Sequence, residues 1–121
     1  SSIHIFSSYF LTNKTEWTET AQLVPSDNEK IGFGTDVKFV QRSSYTNVLL
    51  VSRIDANKKG SLYSFEGTWS TWTHTQLLQS ASHFQKNFFA SSISSYQPSS
   101  SVAYAVAGCE GCNVRMVCSD V

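Results

Sequence analysis

Apolar and polar residues alternate with a period of two along most of the chain, as in β-strands that bury one face. The pattern predicts strands at 2–10, 16–24, 34–41, 47–52, 61–66, 71–79, 91–96, 101–107 and 112–118. In the second of these, Trp17, Glu19, Ala21 and Leu23 are expected to share one face. The uninterrupted apolar run VLLV at 48–51 is typical of a strand buried on both faces. No segment predicts a helix, so the expected fold class is all-β.

Four sequence cues occur twice, which predicts a repeat protein. They are SIHIF (2–6) and GSLYSF (60–65), Trp17 and Trp72, QL (22–23) and QLL (76–78), and GFGTDV (32–37) and FFASSI (88–93). Phe6 then corresponds to Phe65 and Phe33 to Phe89, and the offsets between the copies lie between 55 and 59 residues. A unit longer than about 40 residues is typical of propeller blades or arrays.

The strand order divides the chain into three units. Residues 1–31 are expected to hold the last two strands of one unit, residues 32–80 a complete four-stranded unit, and residues 81–121 most of a further unit. Units without neighbours would leave open strand edges and half-covered faces, which favour aggregation. We therefore expect the remaining units to come from elsewhere in a longer polypeptide or from another chain.

The pattern of one complete unit resembles the FG-GAP repeat, the blade of integrin α-subunit and related β-propellers. Phe33-Gly34 opens a strand three residues before Val37, and 48–51 stands where the family has its GAP strand. The segment 60–65 matches a G-x-x-Y-x-F strand, and 72–77 matches a W-x-x-x-x-L strand. The second copy departs from the family pattern, because it has Phe89-Ala90 instead of Phe-Gly.

The resemblance implies a partial β-propeller built of four-stranded antiparallel blades, which in the family usually number about seven per ring. It also implies a set of residues that form the core of the complete blade. These are Phe33, Gly34, Val37, Leu49, Leu50, Tyr63, Phe65, Trp72 and Leu77.

The charge balance and the lengths of the apolar runs limit the classes of partner that this chain is expected to bind. The 121 residues carry 9 basic and 9 acidic side chains, so the formal net charge is zero. A balanced charge offers no electrostatic footprint for nucleic acid or for an anionic membrane. No apolar run approaches the roughly 18 residues needed to cross a bilayer, and no signal peptide is visible. The chain begins inside a predicted strand without Met, so we expect it to be processed or excerpted from a longer polypeptide.

A calcium site is a candidate because many FG-GAP blades bind the ion in a D-x-D-x-D-G loop of oxygen ligands. The family places that loop between the first and second strands, where residues 41–47 of this chain contain no acid. The segment 55–60 looks similar but lies one loop later and has Lys59 in place of a third carboxylate. Asp55 and Asn57 are thus weak metal candidates, and a plain hairpin turn is the alternative. Calcium elsewhere in a full propeller stays open.

Cys109 and Cys112 bracket a two-residue turn between predicted strands, and Cys118 lies on the second of these strands. A disulfide between Cys109 and Cys112 is one interpretation, and small apolar side chains in strands are another. A zinc site is a third, although closed structural sites use four ligands. Asn13 begins an N-glycosylation sequon, Asn13-Lys14-Thr15, in a predicted exposed loop.

The sequence lacks the common catalytic motifs, because it has no G-x-S-x-G, no H-E-x-x-H and no glycine-rich phosphate loop. We therefore do not expect an enzyme in this segment. Three aromatic residues in predicted loops, Tyr45, Trp69 and Tyr96, could stack on a sugar ring. The alternative is that Trp69 caps a strand end and Tyr45 packs beneath a neighbouring blade.

These observations predict a non-enzymatic propeller segment, extracellular or at a cell surface, that makes structural or adhesive protein contacts. Its partners would be other proteins or further blades. A carbohydrate-binding lectin-type propeller is the second hypothesis, and an accessory propeller of a larger enzyme is the third. No cofactor is expected in this segment.

Overall fold

The computed structural model describes residues 2–8, 16–25, 31–42, 46–68, 71–79, 88–99 and 101–108, and the backbone of 115–119. In these residues the protein is all-β, with nine strands in three antiparallel sheets and no helix. Each predicted strand has a counterpart. The strands are β1 (Ile3–Ser7), β2 (Thr18–Leu23), β3 (Phe33–Gln41), β4 (Asn47–Ile54), β5 (Gly60–Gly67), β6 (Trp72–Leu78), β7 (Ile93–Tyr96), β8 (Ala103–Ala107) and β9 (Arg115–Ser119).

The three sheets are consecutive along the chain, and each is a meander of neighbouring strands. We call them the N-sheet (β1-β2), the central sheet (β3-β4-β5-β6) and the C-sheet (β7-β8-β9). Every pairing is antiparallel. Because successive strands are joined by short connections, each sheet forms from local contacts.

The central sheet is buried on both faces. Side chains alternate across it, so Val48 and Leu50 of β4 point to one face, while Leu49 and Val51 point to the other. All four are buried, in agreement with the prediction from the VLLV run. The C-side core contains Val40, Val48, Leu50, Leu62, Phe89, Ala90, Ile93, Ala103 and Ala107. The N-side core contains Leu23, Phe33, Leu49, Val51, Tyr63 and Phe65, with Ile3, Ile5, Val37 and Trp72 packed against it.

The residues that form these two cores show how the sheets are stacked in space. The C-side core joins side chains of the central sheet to those of the C-sheet and of the segment that precedes it. The N-side core joins the opposite face of the central sheet to the N-sheet. The central sheet therefore lies between the other two, face to face with each.

The C-sheet repeats the strand register of the central sheet. In the central sheet Val37 faces Val51 and Val40 faces Val48 across β3 and β4. In the C-sheet Ile93 faces Ala107 and Tyr96 faces Tyr104 across β7 and β8. Each of these C-sheet residues is 56 positions beyond its central-sheet equivalent, and the pairs between them follow the same offset.

The N-sheet repeats β5 and β6, including an irregularity. Ile5 faces Ala21 and Phe6 faces Glu19, so Thr20 is an extra residue in a β-bulge. Ser64 faces Gln76 and Phe65 faces His74, so Thr75 is extra at the equivalent place. A hydrogen bond made by the side chain of the extra threonine recurs as well. The Thr20 hydroxyl donates to the Ile5 carbonyl at 3.4 Å, and the Thr75 hydroxyl donates to the Ser64 carbonyl at 3.1 Å.

This bulge corrects the expected face pattern of β2. Glu19 and Ala21 were expected on one face, but they pair with consecutive residues of β1 and so point to opposite faces. The physical reason is the extra residue, which shifts the alternation by one position. Glu19 consequently lies outside, where its carboxylate Oε1 is 2.6 Å from His4 Nδ1.

The backbone entering each unit is also repeated. Gly32 and Gly34 have φ of 77° and 93°, and Phe88 and Ala90, at the matching positions, have φ of 50° and 63°. These angles lie in the left-handed region, which glycine adopts freely and other residues rarely adopt. The aromatic residue between them is buried in both copies. Ala90 thus takes the conformation of Gly34 although it carries a Cβ.

Most residues expected to form the blade core are buried or half-buried. Phe33, Leu49, Leu50, Tyr63 and Phe65 are buried, and Gly34, Val37 and Trp72 are half-buried. Leu77 does not fit the expectation, because 42% of it is exposed. Leu77 pairs with Tyr63 and so faces the N-sheet side, but β6 is the edge strand of the central sheet and is paired on one side, with β5.

Candidate functional site: the sheet junction, the loop rim and the end faces

A carboxylate joins the central sheet to the C-sheet. Asp36 Oδ1 accepts a hydrogen bond from the Val37 amide at 2.9 Å, and Asp36 Oδ2 accepts one from the Ile93 amide at 2.8 Å. The Asp36 amide donates to Ser52 Oγ at 2.8 Å, and the Ser52 hydroxyl returns a bond to the Asp36 carbonyl at 3.3 Å. Asp36 therefore holds β3, β4 and β7 together at one point.

The first strands of the two units lie closest to each other. Among the described strands of different sheets, β3 and β7 make the most extensive approach. Their far ends are joined as well, because Gln97 Nε2 donates to the Gln41 carbonyl. The outermost strand β6 has instead several exposed residues. The sheets are thus closest at their first strands.

One end of the stack gathers the connections that leave β3, β5 and β7. We call this end the loop rim, and its described residues include Arg42, Thr46, Thr68, Thr71 and Gln97. The Arg42 guanidinium and the Glu66 carboxylate form an ion pair there, in a partly exposed setting. Such a pair contributes little to stability because solvent screens it. The described residues of the rim are polar, and all of those named except Thr46 are exposed, as on many surfaces that bind partners.

The opposite end contains the candidate calcium residues, and the structure explains them as a turn. Asp55 Oδ1 accepts hydrogen bonds from the amides of Asn57 at 2.8 Å and Lys59 at 2.9 Å. The Asp55 amide donates to the Lys59 carbonyl, and Lys58 adopts φ 66°. This is the side-chain-closed turn that Asp commonly forms between strands. Among the described residues, no cluster of three or more His, Cys, Asp or Glu could hold a metal ion.

Tyr96 was expected in a loop, but it is the last residue of β7 and lies on the outer face of the C-sheet. Its ring is paired with that of Tyr104, with centroids 6.5 Å apart and planes 15° from parallel. Tyr96 is 67% exposed, and Tyr104 and Val106 of the same face are also exposed. Ser94 completes the described part of this face, which carries no charge.

The other end face is the outer face of the N-sheet. Its described residues are His4, Phe6, Glu19 and Gln22, and Phe6 is 53% exposed. Trp17, directly before β2, is exposed too. The His4–Glu19 contact described above lies on this face.

Two buried donors lie in one row across the central sheet. Asn47 faces Gly67, which in turn faces Trp72. Asn47 Nδ2 and Trp72 Nε1 are buried and have no hydrogen-bond partner among the described residues. Buried polar groups of this kind are uncommon in folded proteins.

Several predicted site residues lie outside the described part of the chain. They are the sequon Asn13, the aromatic residues Tyr45 and Trp69, and the cysteines Cys109 and Cys112. For Cys118 the structure gives the backbone alone, which pairs with Tyr104. The glycosylation, disulfide and ligand-contact hypotheses for these residues stay predictions.

Sequence reasoning missed Asp36 and Tyr104. Asp36 stands inside the GFGTDV cue, but its bond to Ile93 depends on how two sheets pack, and no local pattern carries that information. Tyr104 lies in the predicted strand 101–107, but its place opposite Tyr96 depends on the register of the two strands, which the predicted strand bounds do not give.

The geometry defines an all-β protein of stacked antiparallel sheets with a repeated strand register. Comparison with models of protein families, with curated proteins and with solved structures found no match. In the part of the chain that the structure describes, no helix has the length and apolarity required to cross a membrane.

Proposed function

We propose that this chain is a segment of an FG-GAP-like β-propeller that serves, outside the cell or at its surface, as a non-enzymatic scaffold for protein contacts. Residues 1–31, 32–80 and 81–121 would be successive blades, the first and last of them incomplete. The main support for this proposal is that the strands pair in the same register in different units, with the β-bulge at Thr20 and Thr75 in equivalent places.

The order of faces supports a propeller rather than an unrelated set of sheets. Ile3 and Ile5 of the N-sheet correspond to Leu62 and Ser64 of the central sheet. Ile3 and Ile5 point toward the central sheet, and Leu62 and Ser64 point toward the C-sheet. Each pair therefore faces the sheet that follows in the chain. Each unit thus presents the same face to its successor, which is how blades follow one another around a ring.

The approach of the first strands also favours a radial arrangement. In a propeller the first strand of each blade lies near the central axis, and the outer strands diverge. The closest inter-sheet strands here are β3 and β7, the first strands of their units, while β6 is exposed. A ring of this kind would hold the connections of the loop rim in rigid positions.

We assign partner contact to the loop rim. Arg42, Thr68 and Thr71 adjoin strands of the central sheet, which packs against a sheet on each side, so little conformational entropy would be lost there when a partner binds. The Gln97 side chain spans two units there through its bond to Gln41. A rigid polar rim of this kind suits binding to the folded domain of another protein.

The test is binding of the immobilised chain to an array of purified extracellular protein domains. Thr68→Arg and Thr71→Arg place bulky side chains on the loop rim, and Ala56→Arg does so at the opposite end; all three positions are exposed. We expect the two rim variants to weaken binding roughly tenfold or more, as when a large residue is inserted into an interface. Ala56→Arg should bind as the parent does.

Two results would contradict this assignment. One is the absence of binding to any domain of the array. The other is an equal loss of binding in Ala56→Arg and in the rim variants, since the contact would then not belong to the rim. Far-ultraviolet circular dichroism and thermal unfolding of each variant would verify that the fold is retained.

A further inference from the structure

Strand β6 lies in the middle of the chain and forms one edge of the central sheet. In the part of the chain that the structure describes, β6 is paired on one side, with β5. Its exposed residues are Thr73, Thr75, Gln76 and Leu77. An edge strand presents backbone N–H and C=O groups that can pair with a further strand. The edge of β6 is therefore a candidate contact surface.

The composition of β6 does little to prevent such pairing. Edge strands are often protected by charged residues or proline, and β6 (WTHTQLL) has no Lys, Arg, Asp, Glu or Pro. The equivalent edge strand β2 differs, because Glu19 and Gln22 stand there at the places of His74 and Leu77. An exposed apolar side chain thus distinguishes β6 from its own counterpart.

The bulge at Thr75 determines which residues of β6 share a face. Because Thr75 is extra, the alternation of side chains shifts by one position at this point. The residues on the face toward the N-sheet are Trp72, His74 and Leu77, and those on the opposite face are Thr73, Gln76 and Leu78.

This arrangement makes β6 complementary to a second copy of itself. Residues that face each other across an antiparallel pair point to the same side of the sheet. When Trp72 of one copy faces Leu77 of the other, Thr73 faces Gln76, and both pairs obey this rule. A shift of one residue would place Trp72 opposite Gln76 or Leu78, which point to the other side.

We propose that β6 is the contact of a homodimer, in which two central sheets join edge to edge through antiparallel β6 strands. Trp72 of each copy covers the exposed Leu77 of the other, and a two-fold axis relates the two pairs. Neither strand brings a charged side chain to the contact, so no like charges are placed opposite each other. The contact goes beyond the proposed function, since it uses neither the loop rim nor the propeller arrangement.

The size of the contact sets its strength. β6 has seven residues, whereas stable interfaces use about 20–30 residues on each side. The dimer should therefore be weak, with the monomer prevailing in dilute solution and the dimer appearing at high protein concentration.

The test is the mass of the chain by sedimentation equilibrium, from dilute to concentrated solution. The parent should rise from its monomer mass of 13.4 kDa toward that of a dimer and no further. Leu77→Lys removes the apolar contact and places a charge on the edge, so it should associate roughly tenfold or more weakly. Ala56→Lys, at an exposed position of the turn between β4 and β5, is the matched control and should associate as the parent does.

Circular dichroism of each variant would verify that the fold is retained. Leu77 is 42% exposed, so its replacement should be tolerated. Thr73→Lys, at another exposed position of β6, makes the same test if Leu77→Lys does not fold.

A mixture of isotope-labelled and unlabelled chain tests the register. Isotope-filtered nuclear Overhauser effects should connect the Trp72 ring of one copy with the Leu77 methyl groups of the other. An associated sample without these effects would overturn the proposal. A parent that stays monomeric at every concentration would overturn it too, as would association that Leu77→Lys leaves unchanged. None of these results bears on the loop rim, which the domain array tests separately.

Discussion

At the scale of single residues, two aspartates illustrate how the same side chain serves different structural purposes. Asp36 uses both carboxylate oxygens, one for the Val37 amide in its own strand and one for the Ile93 amide in the next sheet. Asp55 uses only Oδ1 for the two amides that close its turn. The two residues should therefore respond differently to replacement by asparagine.

We predict that Asp36→Asn lowers the free energy of unfolding by about 1.5–3 kcal/mol, the range for hydrogen bonds to a charged group. Asparagine keeps one acceptor oxygen and would turn its NH2 group toward one of the two amides, so one bond must be lost. Chemical denaturation monitored by circular dichroism measures the change.

Asp55→Asn is the matched control for this variant. Its side-chain oxygen can accept both amide bonds, and asparagine is as well suited to such turns as aspartate is. We expect a change within about 0.5 kcal/mol, as at ordinary surface positions. Equal losses in the free energy of unfolding of both variants would show that the bond between Asp36 and Ile93 contributes no more to stability than the bonds in the Asp55 turn.

At the scale of elements, much of the structure was predictable. The strands were predictable because their period of two and their aromatic cues are local features of the sequence. The repeat was predictable because Phe6, Trp17 and Phe33 recur as Phe65, Trp72 and Phe89 at similar offsets. These residues mark the same places in each unit, so their spacing carries the unit length.

The remaining details depended on tertiary contacts. The bulge at Thr20 was not predictable, since a polar residue in an alternating strand gives no sign that it is extra. The exposure of Leu77 was not predictable either, because it depends on how far the neighbouring sheet extends. Asp36 belongs to the same class, since its partner is 57 residues away.

The packing of the central sheet leads to a prediction about two leucines that face different surroundings. Leu62 of β5 is fully buried in the C-side core, and Leu77 of β6 is 42% exposed on the other face. Leu62→Ala should cost about 2–5 kcal/mol, because it removes buried methyl groups and leaves a cavity. Leu77→Ala should cost well under half of that.

Thermal unfolding of both variants, monitored by near-ultraviolet circular dichroism, would measure the difference. A cost for Leu77→Ala as large as that for Leu62→Ala would show that another surface covers β6 in solution. A small cost for Leu62→Ala would contradict the stacking of the C-sheet on the central sheet.

At the scale of the whole molecule, the sheets differ in how fully they are supported. In the part of the chain that the structure describes, the central sheet has a neighbour on each face, while the N-sheet and the C-sheet each pack on one face of the central sheet. Within the central sheet, β4 and β5 are also paired on both edges. The free energy of local unfolding should therefore decrease from the middle of the stack toward its ends.

We predict that amide hydrogen exchange follows this order. Amides of β4 should exchange most slowly, because opening them requires separation of both cores, and amides of β1 and β2 should exchange faster. Exchange measured by nuclear magnetic resonance tests the prediction. Protection of the N-sheet equal to that of β4 would contradict it.

The threonines at positions 20 and 75 also bear on the history of the chain. Each is the extra residue of a bulge, and each donates its hydroxyl to the carbonyl at the matching position of the facing strand. Most side chains differ between the copies, and Ala90 occupies the position that the left-handed Gly34 has in the other copy. If the units descend from one duplicated ancestor, its backbone path has outlasted most of its side chains. Genetic drift within such a lineage would erase sequence likeness long before it erased the shape of the unit.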